Sequence, residues 1–219
     1  MTSLSIISLS KSYRAGAAGC SARVSVLRDL DLALWPGEIV ALEGARSSGR
    51  STLLECAAGL RTPDAGSIFW FGARVVSRES IAYVRASPAH PSRERNSERD
   101  GCGALYAALN TALNAALNAS LPKRSLLLLV DDLPCASLLE QRLVLALFER
   151  HALAGAAILF AANEELAAAP CVSRVVTLTN GALVQRRKRS AARIAASSRA
   201  SRARTSARST YGRSLRSPQ

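Results

Sequence analysis

Nowhere does the chain carry a run of about 20 apolar residues, the length a helix needs to cross a bilayer. Its most apolar stretches, Leu126 to Val130 and Ala156 to Ala162, are each strand-sized. The first residues, MTSLSIISLSKSY, lack the basic start and long apolar core of a secretion signal. The five cysteines (Cys20, Cys56, Cys102, Cys135, Cys171) form no CxxC pair, and no histidine stands at metal-ligand spacing from them. That argues against a zinc site and against a disulfide framework, and fits a reduced, cytosolic protein. If a membrane is involved, another subunit must supply the span.

Acidic residues are missing from one end. Between 186 and 219 there are ten Arg, one Lys and no Asp or Glu. The net charge of +13 therefore concentrates there, leaving residues 1–185 with 18 basic and 16 acidic groups, a balance of +2. That tail has no aliphatic periodicity, so its composition predicts disorder. It suits an anionic lipid surface or nucleic acid as a partner, or plain solvation. The rest, with apolar residues forming 48% of the whole chain, is long enough for one good core and is expected to be a single domain over 1–185.

Short apolar runs alternate with helix-like segments, the pattern of an α/β sheet protein. Strands are expected at Leu4 to Leu9, Val24 to Leu34, Glu38 to Glu43, Ser67 to Phe71, Ile81 to Val84, Leu126 to Val130 and Ala156 to Ala162. Asn180-Gly181, between Val175 to Leu178 and Ala182 to Gln185, is a hairpin turn signal. Helices are expected at Gly49 to Ala58, closed by Gly59, at Leu138 to Ala152, and at Ala104 to Leu121, where leucines every four residues run beside an Asn stripe. The Pro, Arg, Ser and Glu mixture from 87 to 100 reads as a surface loop.

Gly44-Ala45-Arg46-Ser47-Ser48-Gly49-Arg50-Ser51 matches the phosphate-loop pattern G-x-x-x-x-G-K-S except at the lysine, and lies between an expected strand and helix. Successive N–H groups and a helix N-terminus there would wrap a phosphate, with the Ser51 hydroxyl placed for Mg²⁺. Arg50 carries the positive charge on a planar fork bulkier than an ammonium, which suits binding better than close alignment.

Residues 26–72, from VLRDLDLAL through GARSSGRSTLLECAAGL to SIFWFG, resemble the first half of an ABC transporter ATP-binding subunit. The resemblance implies a P-loop NTPase of ABC type, α/β with a mainly parallel central sheet, an N-terminal antiparallel β part and a shortened helical subdomain. KSY at 11–13 is similar to the family's adenine-stacking segment, which nominates Tyr13. With residues 44–52, from Gly44 through Ala45, Arg46, Ser47, Ser48, Gly49, Arg50 and Ser51 to Thr52, it would form the ATP site. LLLLVDDLP at 126–134 resembles the Walker B segment, implying Asp131 with Ser51 at Mg²⁺ and Asp132 where a glutamate polarises the attacking water. The stretch from 14 to 23 reads as a loop similar to that of the branch serving lipoprotein-release and macrolide-export permeases.

Several positions depart from the family pattern. Ala86 in IAYVRASP stands in place of the Q-loop glutamine, Asn163 in ILFAANEEL in place of the switch histidine, and Leu138 in place of the D-loop aspartate. No LSGGQ is present, and Asp100 to Ala104 is the best candidate for its remnant. By resemblance the chain would bind ATP with Mg²⁺ and work with a membrane permease as a homodimer or heterodimer. It would sit in the cytoplasm, peripheral to the inner membrane. The altered positions imply impaired hydrolysis, or a non-catalytic regulatory module. A basic nucleic-acid-binding protein on a relic core is the third reading.

Overall fold

In the computed structural model the described residues are 1–15, 22–75, 80–85, 111, 126–131 and 138–188. The expected helix at 104–121 (apart from the helical Thr111), the loop at 87–100, the shortened helical subdomain and residues 189–219 of the basic tail lie outside them.

Two sheets build the domain. Strands β1 (Leu4–Ala15), β2 (Ala22–Leu34) and β4 (Ala65–Trp70) form an antiparallel sheet in the order β2-β1-β4. The second sheet holds β3 (Ile39–Gly44), β5 (Ile81–Arg85), β6 (Leu127–Asp131), β7 (Ala157–Ala161), β8 (Arg174–Thr179) and β9 (Ala182–Lys188), ordered β5-β6-β7-β3-β8-β9. Its strands run parallel from β5 through β8, and only β9 is antiparallel. Asn180 (φ 50) and Gly181 (φ 78) turn β8 into β9 with the two left-handed residues a tight hairpin requires.

The all-buried strands β6 and β7 have no polar face because helix or sheet covers both sides. Alternate residues go to opposite cores. Leu128, Val130, Ile158 and Phe160 pack with Val144 and Phe148 of helix α2 (Leu138–Leu153). Leu127, Leu129 and Leu159 pack with Leu53 and Leu54 of helix α1 (Arg50–Ala57) and with Leu4 and Ile6 of β1. Each fully buried Leu of this kind contributes roughly 1.5–3 kcal/mol.

The β1–β2 pair departs from simple alternation. Leu4, Ile6 and Leu9 are buried on β1, and Leu27 and Leu30 on β2, so each strand slips by one residue, at Ser8 (φ 50) and Asp29 (φ 48). Such bulges shift the inward set without breaking the sheet. The Ser8 N–H donates to Asp31 Oδ1 at 2.9 Å and the Asp29 N–H to Ser10 Oγ at 3.0 Å, so side chains replace the interrupted ladder.

Beyond Leu9 and before Val24 the strands continue past the ends expected from the sequence. Arg14 pairs with Arg23 and Ala15 with Ala22, which shortens the stretch read as a loop from 14 to 23. Residues 22–25 are exposed, so backbone pairing there leaves no burial pattern to read. Likewise β9 reaches Lys188, three residues past the expected domain limit at 185. A short helix α3 (Glu164–Ala167), absent from the sequence expectations, follows β7.

Candidate functional site

Strand β3 ends at Gly44 and helix α1 begins at Arg50, so residues 44–51 join a strand to a helix N-terminus. Two glycines permit this path. A Cβ on Gly44 would lie 2.5 Å from Ser48 Oγ and 2.8 Å from the Leu178 carbonyl oxygen. Gly49, at φ 102, would meet Val26 Cγ1 at 2.7 Å. Ser47 takes φ 64 with a side chain, a left-handed conformation that costs roughly 1–2 kcal/mol. The Ser48 N–H donates to the Ala45 carbonyl at 3.1 Å, closing the loop into a cradle.

That cradle borders a cavity of about 660 Å³ lined by Val26, residues 46–52, Arg85, Asp131 and Ala161. Its floor is the first turn of α1, whose leading N–H groups have no partner within the helix. Ser48 Oγ is buried and without a hydrogen-bond partner among the described residues. A polar, cationic cradle with a buried orphan hydroxyl fits a phosphate.

Three arginines supply the charge: Arg46, Arg50 and Arg85. Arg50 Nη1 donates to the Ala162 carbonyl at 3.2 Å, tying α1 to the residue after β7. Asp131, at the end of β6, is 3% exposed. Its Oδ1 accepts from the Ser51 hydroxyl at 3.1 Å, and its Oδ2 accepts from the Tyr83 hydroxyl at 3.3 Å and lies 3.6 Å from Arg85 Nε. Burial, reinforced by the negative Asp131, raises the Tyr83 phenol above its ordinary pKa and keeps it a donor. The Ser51 and Asp131 oxygens are hard donors suited to Mg²⁺, which needs few protein ligands beside phosphates and water. Among the described residues no group of three or more His, Cys, Asp or Glu converges, so a metal site built from protein alone is not what they form.

Tyr13 stands on β1, half buried and off the cavity lining, with its hydroxyl 3.3 Å from Thr52 Oγ1. The Arg61 guanidinium carbon lies 5.4 Å and Lys11 Nζ 6.0 Å from its ring centroid. Asp64 anchors this part of β1 by accepting from Lys11 Nζ at 2.7 Å, the Ser12 N–H at 2.8 Å and the Ser12 hydroxyl at 2.7 Å. Those donors hold its carboxyl well below the usual carboxylate range.

Asn163 is exposed and spends its side chain as the N-cap of α3, Oδ1 accepting from the Leu166 N–H at 2.9 Å. His151 is buried on α2, away from the cavity lining, and burial lowers its pKa. Leu138 is the exposed first residue of α2. Asp132, Ala86, Asp100 to Ala104, Cys20, Cys102 and Cys135 lie outside the described residues.

The structure thus brings together Arg46, Ser47, Ser48, Gly49, Arg50, Ser51, Thr52 and Asp131, with Gly44 and Ala45 shaping the loop beneath them. Sequence reasoning missed Tyr83, Arg85 and the neighbouring Glu55. The available signal was that two apolar strands, IAYVR and LLLVD, each end in a charge; as parallel neighbours they pair Arg85 with Asp131.

This strand-loop-helix phosphate cradle beside an acid-ended parallel strand is that of a P-loop nucleotide-binding cassette. The chain belongs to the ABC transporter family, whose model matches residues 27–156. Cassettes of this family bind ATP with Mg²⁺. Over 62 residues the chain is 48% identical to the lipoprotein-releasing system ATP-binding protein LolD of Idiomarina loihiensis, covering 28% of this chain and 25% of that protein. Over 65 residues it is 58% identical to the aliphatic sulfonates import ATP-binding protein SsuB 1 of Xanthomonas axonopodis pv. citri, covering 29% and 25%. The matched segments span about a quarter of the length of those relatives.

Among solved structures, a dimeric ATP-binding cassette in a post-hydrolysis state bound to ADP and Pi aligns with a TM-score of 0.61 at 15% identity, over 84% of this chain and 98% of that one. A nucleotide-free ATP-binding cassette from an ABC transporter aligns at 0.57 and 13% identity, over 86% and 92%. At these identities the likeness establishes the fold. Among the described residues no helix is long and apolar enough to cross a membrane.

Proposed function

We propose that this chain is an ABC transporter ATP-binding subunit that holds Mg-ATP, hydrolyses it poorly by itself, and acts through a membrane permease and a second cassette. Arg50 carries the reading. A guanidinium is directional and planar, and Nη1 of this one is committed to the Ala162 carbonyl at 3.2 Å. It adds positive charge to the cavity, which favours phosphate, but its fork cannot follow a transferring phosphoryl group as a compact ammonium can.

Loop N–H groups and the α1 N-terminus would bind the β-phosphate, Arg46 and Arg50 would offset its charge, and Tyr13 with Thr52 would border the base. Mg²⁺, when bound at Ser51 and Asp131, supplies the charge that offsets the terminal phosphates. Asp132 stands for a glutamate with one methylene fewer, while a water-activating base must come within about 3 Å of its proton. Asn163 has no ring nitrogen to exchange a proton, and its oxygen is already used by the Leu166 N–H. Loss of one such group commonly costs about 10²-fold in rate, although members of one constellation do not add.

On this reading the chain sits at the cytoplasmic membrane as a peripheral subunit, with a nucleotide-binding domain that runs to the end of β9 at Lys188 and a basic tail as an electrostatic tether for anionic lipid or nucleic acid. The capped Asn163 favours a second form of the reading, a regulatory half-site in a heterodimer whose partner supplies the working residues. The test is equilibrium binding of Mg-ATP to the purified chain, then phosphate release with and without a candidate partner cassette. Tight binding with turnover only in the pair supports the heterodimer, whereas binding with negligible turnover in both supports the non-catalytic form. No ATP binding at all rejects the function.

A further inference from the structure

Arg85 is the cavity's third arginine, and neither loop chemistry nor the metal site uses it. It ends β5 directly opposite Asp131 at the end of β6, so parallel pairing holds both charges at the same lip of the sheet. Its Nε lies 3.6 Å from Asp131 Oδ2, and its Nη1 donates to Glu55 Oε1 at 3.0 Å. Glu55 is shared, since its Oε2 also accepts from Arg61 Nε at 2.6 Å. The Arg85 side chain is 55% exposed, whereas those of Asp131 and Glu55 are 4% and 14% exposed. A half-solvated cation therefore leans over two sheltered acids at the wall of the cavity.

We propose that Arg85 is a nucleotide-binding residue, which neutralises Asp131 when the site is empty and turns its guanidinium to the polyphosphate when a divalent cation takes its place beside that carboxylate. The inference rests on the reading of the cavity as a nucleotide site. The exchange follows from charge. Asp131 Oδ2 cannot serve a guanidinium and a hydrated metal ion in the same space, and a phosphate chain entering with the metal brings new acceptors within reach. Arginine suits the move because its fork grips phosphate oxygens in pairs. The Arg85–Asp131 contact at 3.6 Å is longer than the neighbouring ion pairs at 2.6 to 3.0 Å, and an arriving metal ion would replace the charge that the sheltered Asp131 loses.

Two consequences of opposite sign follow. Removing the guanidinium should weaken polyphosphate binding, and it should also let the metal reach Asp131 at lower concentration. A merely structural arginine would do neither. The experiment is equilibrium binding of ATP, ADP and adenosine to the full chain across a Mg²⁺ titration, for wild type, Arg85→Gln, Arg85→Lys and Glu55→Gln, with thermal melting of each.

At saturating Mg²⁺, Arg85→Gln should weaken ATP binding by about tenfold, the scale of one charge-assisted hydrogen bond, and leave adenosine unchanged. The Mg²⁺ concentration for half-maximal ATP binding should fall in the same variant. Arg85→Lys should restore most of the ATP affinity, and Glu55→Gln, which releases Arg85 from its outer partner, should hold or raise it. Wild-type ATP affinity in Arg85→Gln at every Mg²⁺ concentration overturns the proposal while leaving the nucleotide site standing. So does a loss of affinity in Glu55→Gln equal to that in Arg85→Gln, because the salt-bridge strap would then be what matters. Failure of the wild type to bind ATP or ADP with or without Mg²⁺ overturns the nucleotide reading itself.

Discussion

The Ser51 hydroxyl donates to Asp131 Oδ1 across 3.1 Å, joining the first turn of α1 to the end of β6. Under the proposed reading these two oxygens would also hold the divalent cation. Asp131→Asn should abolish the gain in ATP affinity that Mg²⁺ produces, a change of about tenfold or more, while ATP binding in chelator holds or rises, because the change frees Arg85 and removes a negative charge from the cavity. Ser51→Ala should act in the same direction with a smaller effect. Nucleotide titrations with and without chelator read both, and an unaltered Mg²⁺ dependence in Asp131→Asn would remove Asp131 from the site.

Ser47 holds φ 64, a conformation that suits glycine. Ser47→Gly removes the strain but adds conformational freedom to the unfolded chain, so the net gain should be about 1 kcal/mol. A higher urea midpoint with an unchanged slope is the expected result. A lower midpoint would mean that the Ser47 side chain has a stabilising role greater than the strain.

Asp64 titrates below its ordinary value of 3.8 because Lys11 and Ser12 hydrogen-bond its charged form. A lowered native pKa stabilises the fold above the unfolded value, and that contribution fades as pH falls below about 4 toward the native pKa. Asp64→Asn should therefore lower the melting temperature at pH 7 and lessen the loss of stability on going from pH 5 to pH 2. Parallel melting curves for the two proteins across that range would show that the pairing contributes nothing.

The tail can be cut after Lys188, where β9 ends. Deleting 189–219 removes eight arginines and should leave the melting temperature unchanged. It should also abolish any salt-sensitive binding to vesicles rich in anionic lipid, at about 1 kcal/mol per charge near the surface. Equal vesicle binding by the truncated chain would exclude the tail as the tether.

Much of this architecture was legible because it rests on strong local signals. The apolar runs became β6 and β7, the EIVALE run became β3 with its glycine-bounded turn, and Asn180-Gly181 made the expected hairpin. What escaped depends on pairing rather than pattern. The outer end of β1 is half buried and that of β2 is exposed, without alternation in either, so nothing in their periodicity separates a strand from a loop. Arg85 gains its meaning only from the register that sets it against Asp131. Asn163 read as a substituted switch position, and the short helix it caps is too brief to leave a periodic trace.

The central claim is that this site holds Mg-ATP and turns it over poorly, and one paired measurement tests it most directly: saturable ATP binding and steady-state phosphate release by the purified chain alone. The same assays on the combined Arg50→Lys, Asp132→Glu and Asn163→His variant provide the comparison. That variant gives up the Asn163 cap, at about 1 kcal/mol of stability, which melting would register. The account predicts ATP binding by the wild type with phosphate release near background, and a clear rise in release for the variant. Wild-type turnover at about 1 s⁻¹ or faster without a partner, an ordinary enzymatic rate, would contradict it.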